Sequence, residues 1–113
     1  MSHDLSRQKV IYFLSEILTK SKHAENYPEE YDMHELGVLR MAARTAVRAA
    51  EQNHVSNIKF FTLEIGDESG YVPLFFEKYF PIIREEFPAL AQAELRMESV
   101  RGGRQFLLKE IGY

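Results

Sequence analysis

A small α+β fold of the α/β layer type is predicted: a three-stranded, partly antiparallel sheet covered by two to three helices. Three observations predict it. The stretch 58–65 (IKFFTLEI) alternates, with Phe60 and Thr62 on one side and Phe61, Leu63 and Ile65 on the other. Helical spacing of apolar residues brackets it on both sides, over 34–53 and 71–87. Two further alternating runs, 93–101 and 104–111, are joined by Gly102-Gly103.

In chain order, Ser2–Lys22 reads as an amphipathic helix. Val10, Phe13, Leu14, Ile17 and Leu18 fall three and four apart, with Ser2 or Asp4 available as a cap. The segment 23–32 (HAENYPEEYD) is an acidic connector stopped by Pro28. Residues 1–32 thus form an N-terminal helix and connector, and residues 33–113 the domain proper. Asp32 can cap the next helix, His34–Asn53, with Glu35 in a capping-box position. Leu36, Leu39, Ala43, Ala46, Val47 and Ala50 line its buried face, and its alanines favour helix and a close approach to a sheet. Arg40, Arg44 and Arg48 make a solvated stripe.

The alternating stretch 58–65 has apolar residues on both faces, so it takes the middle of the sheet. Gly66, Asp67 and Gly70 end it in a turn. Tyr71–Phe87 is a helix with Pro73 in its first turn and one aromatic face, in which Phe75, Phe76, Tyr79 and Phe80 are core residues. Pro81 predicts a kink or restart. The glycine pair predicts a tight antiparallel hairpin between the last two strands, with positive φ at both glycines.

The chain has 113 residues and a net charge of −3, which fits one domain with no nucleic-acid footprint. It has no cysteine, so disulfides, thiolate metal sites and cysteine nucleophiles are excluded. No apolar run spans a bilayer and the start lacks a signal-peptide core, which points to a cytoplasmic protein. His3, His23, His34 and His54 make no helical zinc motif, and neither a phosphate loop nor a nucleophile elbow is present. Glu64 and Glu68 read as partners for solvent or backbone. The chain is not expected to be an enzyme.

Met33-His34-Glu35-Leu36-Gly37, the strand and turn 61–72 (FTLEIGDESGYV), the aromatic helix, the strand 93–100 and the final strand QFLLKEI occur in this order. In this the chain resembles the HypA/HybF family of nickel metallochaperones of [NiFe]-hydrogenase, and sometimes urease, maturation. The resemblance covers 33–113. It implies a non-enzymatic nickel carrier that works by metal binding and protein contacts. Its partners would be hydrogenase maturation proteins, a GTPase among them, or the hydrogenase large subunit. It implies nickel ligation at His34 and Glu35.

Two departures qualify what is implied. The family carries a zinc domain with two Cys-x-x-Cys pairs between its last two strands, where this chain has Gly102-Gly103 and no cysteine, so zinc is not expected. The family's nickel site uses a free Met-His-Glu terminus, whereas Met33 here follows Asp32 and its nitrogen is an ordinary amide. His3 offers a substitute: amine, amides and imidazole at the start of the chain close a square-planar nitrogen set that suits nickel(II). The alternative is a metal-free protein-interaction or regulatory module on the same fold. Homodimerisation through an exposed hairpin edge or the N-terminal helix stays open.

Overall fold

The computed structural model describes residues 10–12 and 34–113. Strand β1 is Val10–Tyr12, helix α1 is His34–Gln52, β2 is Phe60–Gly66, α2 is Pro73–Glu86, β3 is Glu94–Val100 and β4 is Phe106–Gly112. A single 3-10 turn, Pro88–Leu90, links α2 to β3. The sheet runs in the order β1-β4-β2-β3. Among the described residues no helix is long and apolar enough to cross a membrane.

β2 is the central strand, as its two apolar faces require. It pairs parallel with β3 and antiparallel with β4. Parallel pairing needs a crossover, and α2 supplies it. Phe61, Leu63 and Ile65 face the helices, and all are fully or almost fully buried. Phe80 of α2 stacks on Phe61 at 5.7 Å between ring centroids, and Phe76 stacks on Phe106 at 5.2 Å. Ala42, Ala43, Ala46 and Ala50 of α1 are completely buried in the same core. Their small side chains let that helix sit close to its neighbours.

α1 closes at its C-terminal end through backbone hydrogen bonds. His54 N–H donates to Glu51 O at 3.1 Å, and Val55 N–H to Ala50 O at 2.8 Å. This is a Schellman closure, and it places His54 at φ 60°, where glycine is the usual occupant.

Several expectations are corrected. Val10–Tyr12 is strand, not helix: it pairs antiparallel with β4 in the register Val10↔Gly112 and Ile11↔Ile111. Val, Ile and Tyr are strand formers, and an available sheet edge outweighs a helical period. The rest of the predicted N-terminal helix, the acidic connector and the Asp32 cap lie outside the described residues. Among the described residues the sheet therefore has four strands rather than three.

The last two strands do not form a hairpin. β3 and β4 lie on opposite sides of β2, and the loop between them crosses the end of that strand. Glu68 N–H donates to Gly103 O at 2.7 Å, Gly66 N–H to Gln105 O at 2.7 Å and Asp67 N–H to Val100 O at 3.0 Å. A tight turn can join only adjacent strands, and β2 already occupies the space between these two. Of the two glycines only Gly102 has positive φ, at 71°. Gly66 permits the crossing: a Cβ there would lie 2.2 Å from the backbone of Gly103.

α2 runs through Pro81 without a restart. Pro81 faces solvent, where water can serve the carbonyl that its missing N–H leaves unbonded. The aromatic face is only partly core: Phe76 and Phe80 are buried, whereas Phe75 is 38% exposed.

Candidate functional site

The two motifs that carry the sequence resemblance are far apart in the chain and meet in the fold. Glu35, in the first turn of α1, is 4% exposed. Its Oε2 accepts the backbone N–H of Val72 at 3.0 Å, across 37 residues. Val72 is the residue immediately before α2 and offers no side-chain cap of its own, so Glu35 serves one of the unpaired donors of that helix end. The carboxylate is thereby positioned by an acceptor role it fills with the protein's own backbone.

The turn that delivers Val72 is shaped locally. Ser69 Oγ accepts the N–H of Tyr71 at 3.1 Å, and Gly70 takes φ 91° between them. Only a residue without Cβ takes that conformation cheaply. Tyr71 then lays its ring against Phe106 at 5.2 Å and Phe76 at 6.0 Å. Burial pushes the Tyr71 phenol above its ordinary pKa, and the nearby Glu35 carboxylate adds to the rise.

His34 is the first residue of α1, beside Glu35. His54 stands beyond the other end of that helix. Nineteen residues separate the two ends of α1, roughly 28 Å at ~1.5 Å per residue, so these two histidines cannot share an ion. His3 and His23 lie outside the described residues. Among the described residues no group of three or more His, Asp or Glu side chains converges as a metal site.

Glu64 accepts a hydrogen bond from Gln105 Nε2 at 2.9 Å, which ties the crossing loop to β2. Glu68 is exposed, and its N–H anchors the same loop. Arg40 of the basic stripe forms a two-bond pair with Glu86 of α2, at 2.7 and 2.6 Å. That contact holds Glu86 below and Arg40 above their ordinary pKa values. Arg44 and Arg48 are exposed, as a solvated stripe requires. The link from Glu35 to Val72 had no signal in the sequence, because a backbone N–H carries no residue identity.

A family model described as "Hydrogenase/urease nickel incorporation, metallochaperone, hypA" matches residues 33–105, well over half of the chain. The chain belongs to the HypA family. That family is one of metallochaperones rather than enzymes. The fold agrees. The solution structure of the Ni metallochaperone HypA from Helicobacter pylori superimposes with a TM-score of 0.55 at 23% identity, covering 57% of this chain and 56% of that one. A second HypA solution structure gives a TM-score of 0.54 at 24% identity, covering 62% of this chain and 59% of that one. The HypA-family chain thus spans somewhat over half the length of these two structures. No curated protein sequence matches it.

Proposed function

We propose that this HypA-family chain binds nickel(II) and hands it on, through protein contacts, during maturation of a hydrogenase or urease in the cytoplasm. The observation that carries the reading is the hydrogen bond from Val72 N–H to Glu35, which joins the first turn of α1 to the turn that follows β2. Both segments fall inside the matched residues 33–105. Nickel is cargo here, held for transfer and not for chemistry.

His34 supplies an imidazole at the start of α1, and His3 supplies a second within the N-terminal segment. Nitrogen donors of this kind suit nickel(II) in a square-planar set. Glu35 belongs to the same site. We assign it to setting the position of the first turn, since its carboxylate already accepts from Val72. Because the Met33 nitrogen is an amide, the terminal chelate of the family is not available at His34, and binding is weak. Gly102-Gly103 stands where the family carries its zinc lobe, and no zinc is taken up there. The receiving proteins are a maturation GTPase or the hydrogenase large subunit.

Nickel titration by calorimetry, with the wild type and the variants His34→Ala, His3→Ala and Glu35→Gln, tests this reading. One nickel per chain is expected, weakened tenfold or more by His34→Ala. Loss on His3→Ala alone moves the site to the N-terminal segment. No nickel uptake by the wild type overturns the proposal and leaves the metal-free interaction module.

A further inference from the structure

Helix α2 carries apolar surface that the core does not use. Of the large apolar side chains exposed among the described residues, Leu74, Phe75 and Ile82 belong to this one helix, at 65%, 38% and 39% exposure. Apolar surface gathered in this way on a single helix marks a place for cover. Phe75, Tyr79, Ile82 and Glu86 follow one another four, three and four residues apart, so they form one stripe along the helix. The core stripe of Phe76, Phe80 and Ile83 lies one residue on, about 100° around the axis. The Phe75 and Tyr79 rings are 6.2 Å apart, which makes the first part of the outer stripe a continuous apolar strip.

The other helix runs beside this strip. Arg40 of α1 reaches across to Glu86 in the two-bond pair at 2.7 and 2.6 Å, and so closes one end of a shallow groove between the helices. Arg44, one turn further along α1, is exposed and close enough to Glu86 to help lower its pKa. On the opposite border, Lys78 holds its ammonium 5.9 Å from the Phe75 centroid and 5.8 Å from that of Tyr79. Both borders of the apolar strip are therefore positive. The carboxylate at its end, Glu86, is already taken by Arg40.

Shape and sign define the occupant. An apolar strip with a three-and-four repeat, set in a groove between two helices, is the complement of a third helix. Positive borders select acidic residues beside that helix's apolar row. An anionic bilayer fits less well. A plane meets the whole of this side, including the exposed Glu77 and Glu85, and the chain as a whole is negative. The chain's own apolar run at 10–18 is bordered by Arg7, Lys9, Lys20 and Lys22 against Asp4 and Glu16, which is the wrong sign.

We propose that the groove between α1 and α2 receives an acidic amphipathic helix of another protein. Phe75, Tyr79 and Ile82 take its apolar row, and Lys78 and Arg44 take carboxylates on its two sides. The contact involves neither His34 nor any metal, and it stands whether or not the chain carries nickel.

Fluorescence anisotropy with two labelled helical peptides of 14 residues, the length of α2, tests this. Each has leucines three and four apart and alanines elsewhere, with glutamates bordering the leucine row in one peptide and lysines in the other. The glutamate peptide binds the wild type about tenfold more tightly than the lysine peptide, with or without a chelator. Phe75→Ser and Ile82→Ser each weaken it about tenfold, with circular dichroism unchanged. Lys78→Glu combined with Arg44→Glu, both at exposed side chains, reverses the preference between the peptides; damage to folding would weaken both alike. Equal binding of the two peptides, binding of neither, or an affinity untouched by Ile82→Ser overturns the assignment. So does partition of the wild type into vesicles of equal phosphatidylcholine and phosphatidylglycerol, or association of the wild type with itself, that Phe75→Ser abolishes, since the strip then has another occupant.

Discussion

Glu35 bonds to a backbone group it could not be paired with by inspection of the sequence. Its neighbours Met33 and His34 mark it as part of a motif, and its residue type fits either a metal or a helix end. The choice of Val72 as partner depends on how α1 and α2 come together, which no local pattern encodes. Removing the carboxylate leaves a helix-end N–H without this acceptor. Glu35→Ala is expected to lower stability by about 1–3 kcal/mol, read from urea denaturation, with Glu35→Gln losing less because an amide oxygen still accepts. Tyr71 reports on the same contact. Its phenol is raised above the ordinary value by burial first and by Glu35 second. The folded state therefore keeps the proton that the unfolded chain gives up. Stability is full below about pH 10, the unfolded tyrosine value, and falls as pH rises through the raised one. The melting temperature followed from pH 9 to 12 should drop, and Tyr71→Phe should make that drop shallower.

At the level of elements, the helices and strands were readable to within a few residues from position 34 onward, because hydrophobic period and turn residues speak about local conformation. Which strands pair was not readable. The glycine pair at 102–103 and the alternation on either side fit a hairpin as well as they fit a crossing loop. The decision rests on β2 having two faces and two edges to fill, with α2 carrying β3 to one edge and leaving the other to β4. Pro81 shows the same limit: its effect on α2 depends on which side of the helix meets water. The crossing itself has a sharp test. Gly66→Ala places a methyl group into the Gly103 backbone, which cannot rotate aside. A loss of at least ~2 kcal/mol is expected by chemical denaturation.

For the molecule as a whole, the core is two layers, helices α1 and α2 over one face of a mixed sheet, and its members were largely apparent from the sequence. The exception is β1. A period that fits a helix over residues 2–22 concealed three residues that complete the sheet, since pairing with β4 is a long-range event. Ile11 of this strand packs against the core from the partly buried edge. Ile11→Asp is expected to cost about 1–2 kcal/mol, measured by thermal unfolding, from lost apolar burial and a charge set against the core. The candidate site follows the same division. The residue types at positions 33–35 and 61–72 could be read directly, whereas their meeting could not.

The register Val10↔Gly112 puts the beginning of the first described strand beside the last residues of the fourth. Tension applied at Val10 and Gly112 therefore loads the β1–β4 ladder across its length and not along it. Its bonds break singly, from the end inward, instead of sharing the load. In an optical trap the molecule should yield first by peeling β1 away at low force, while β2, with a neighbour on each side, holds until later.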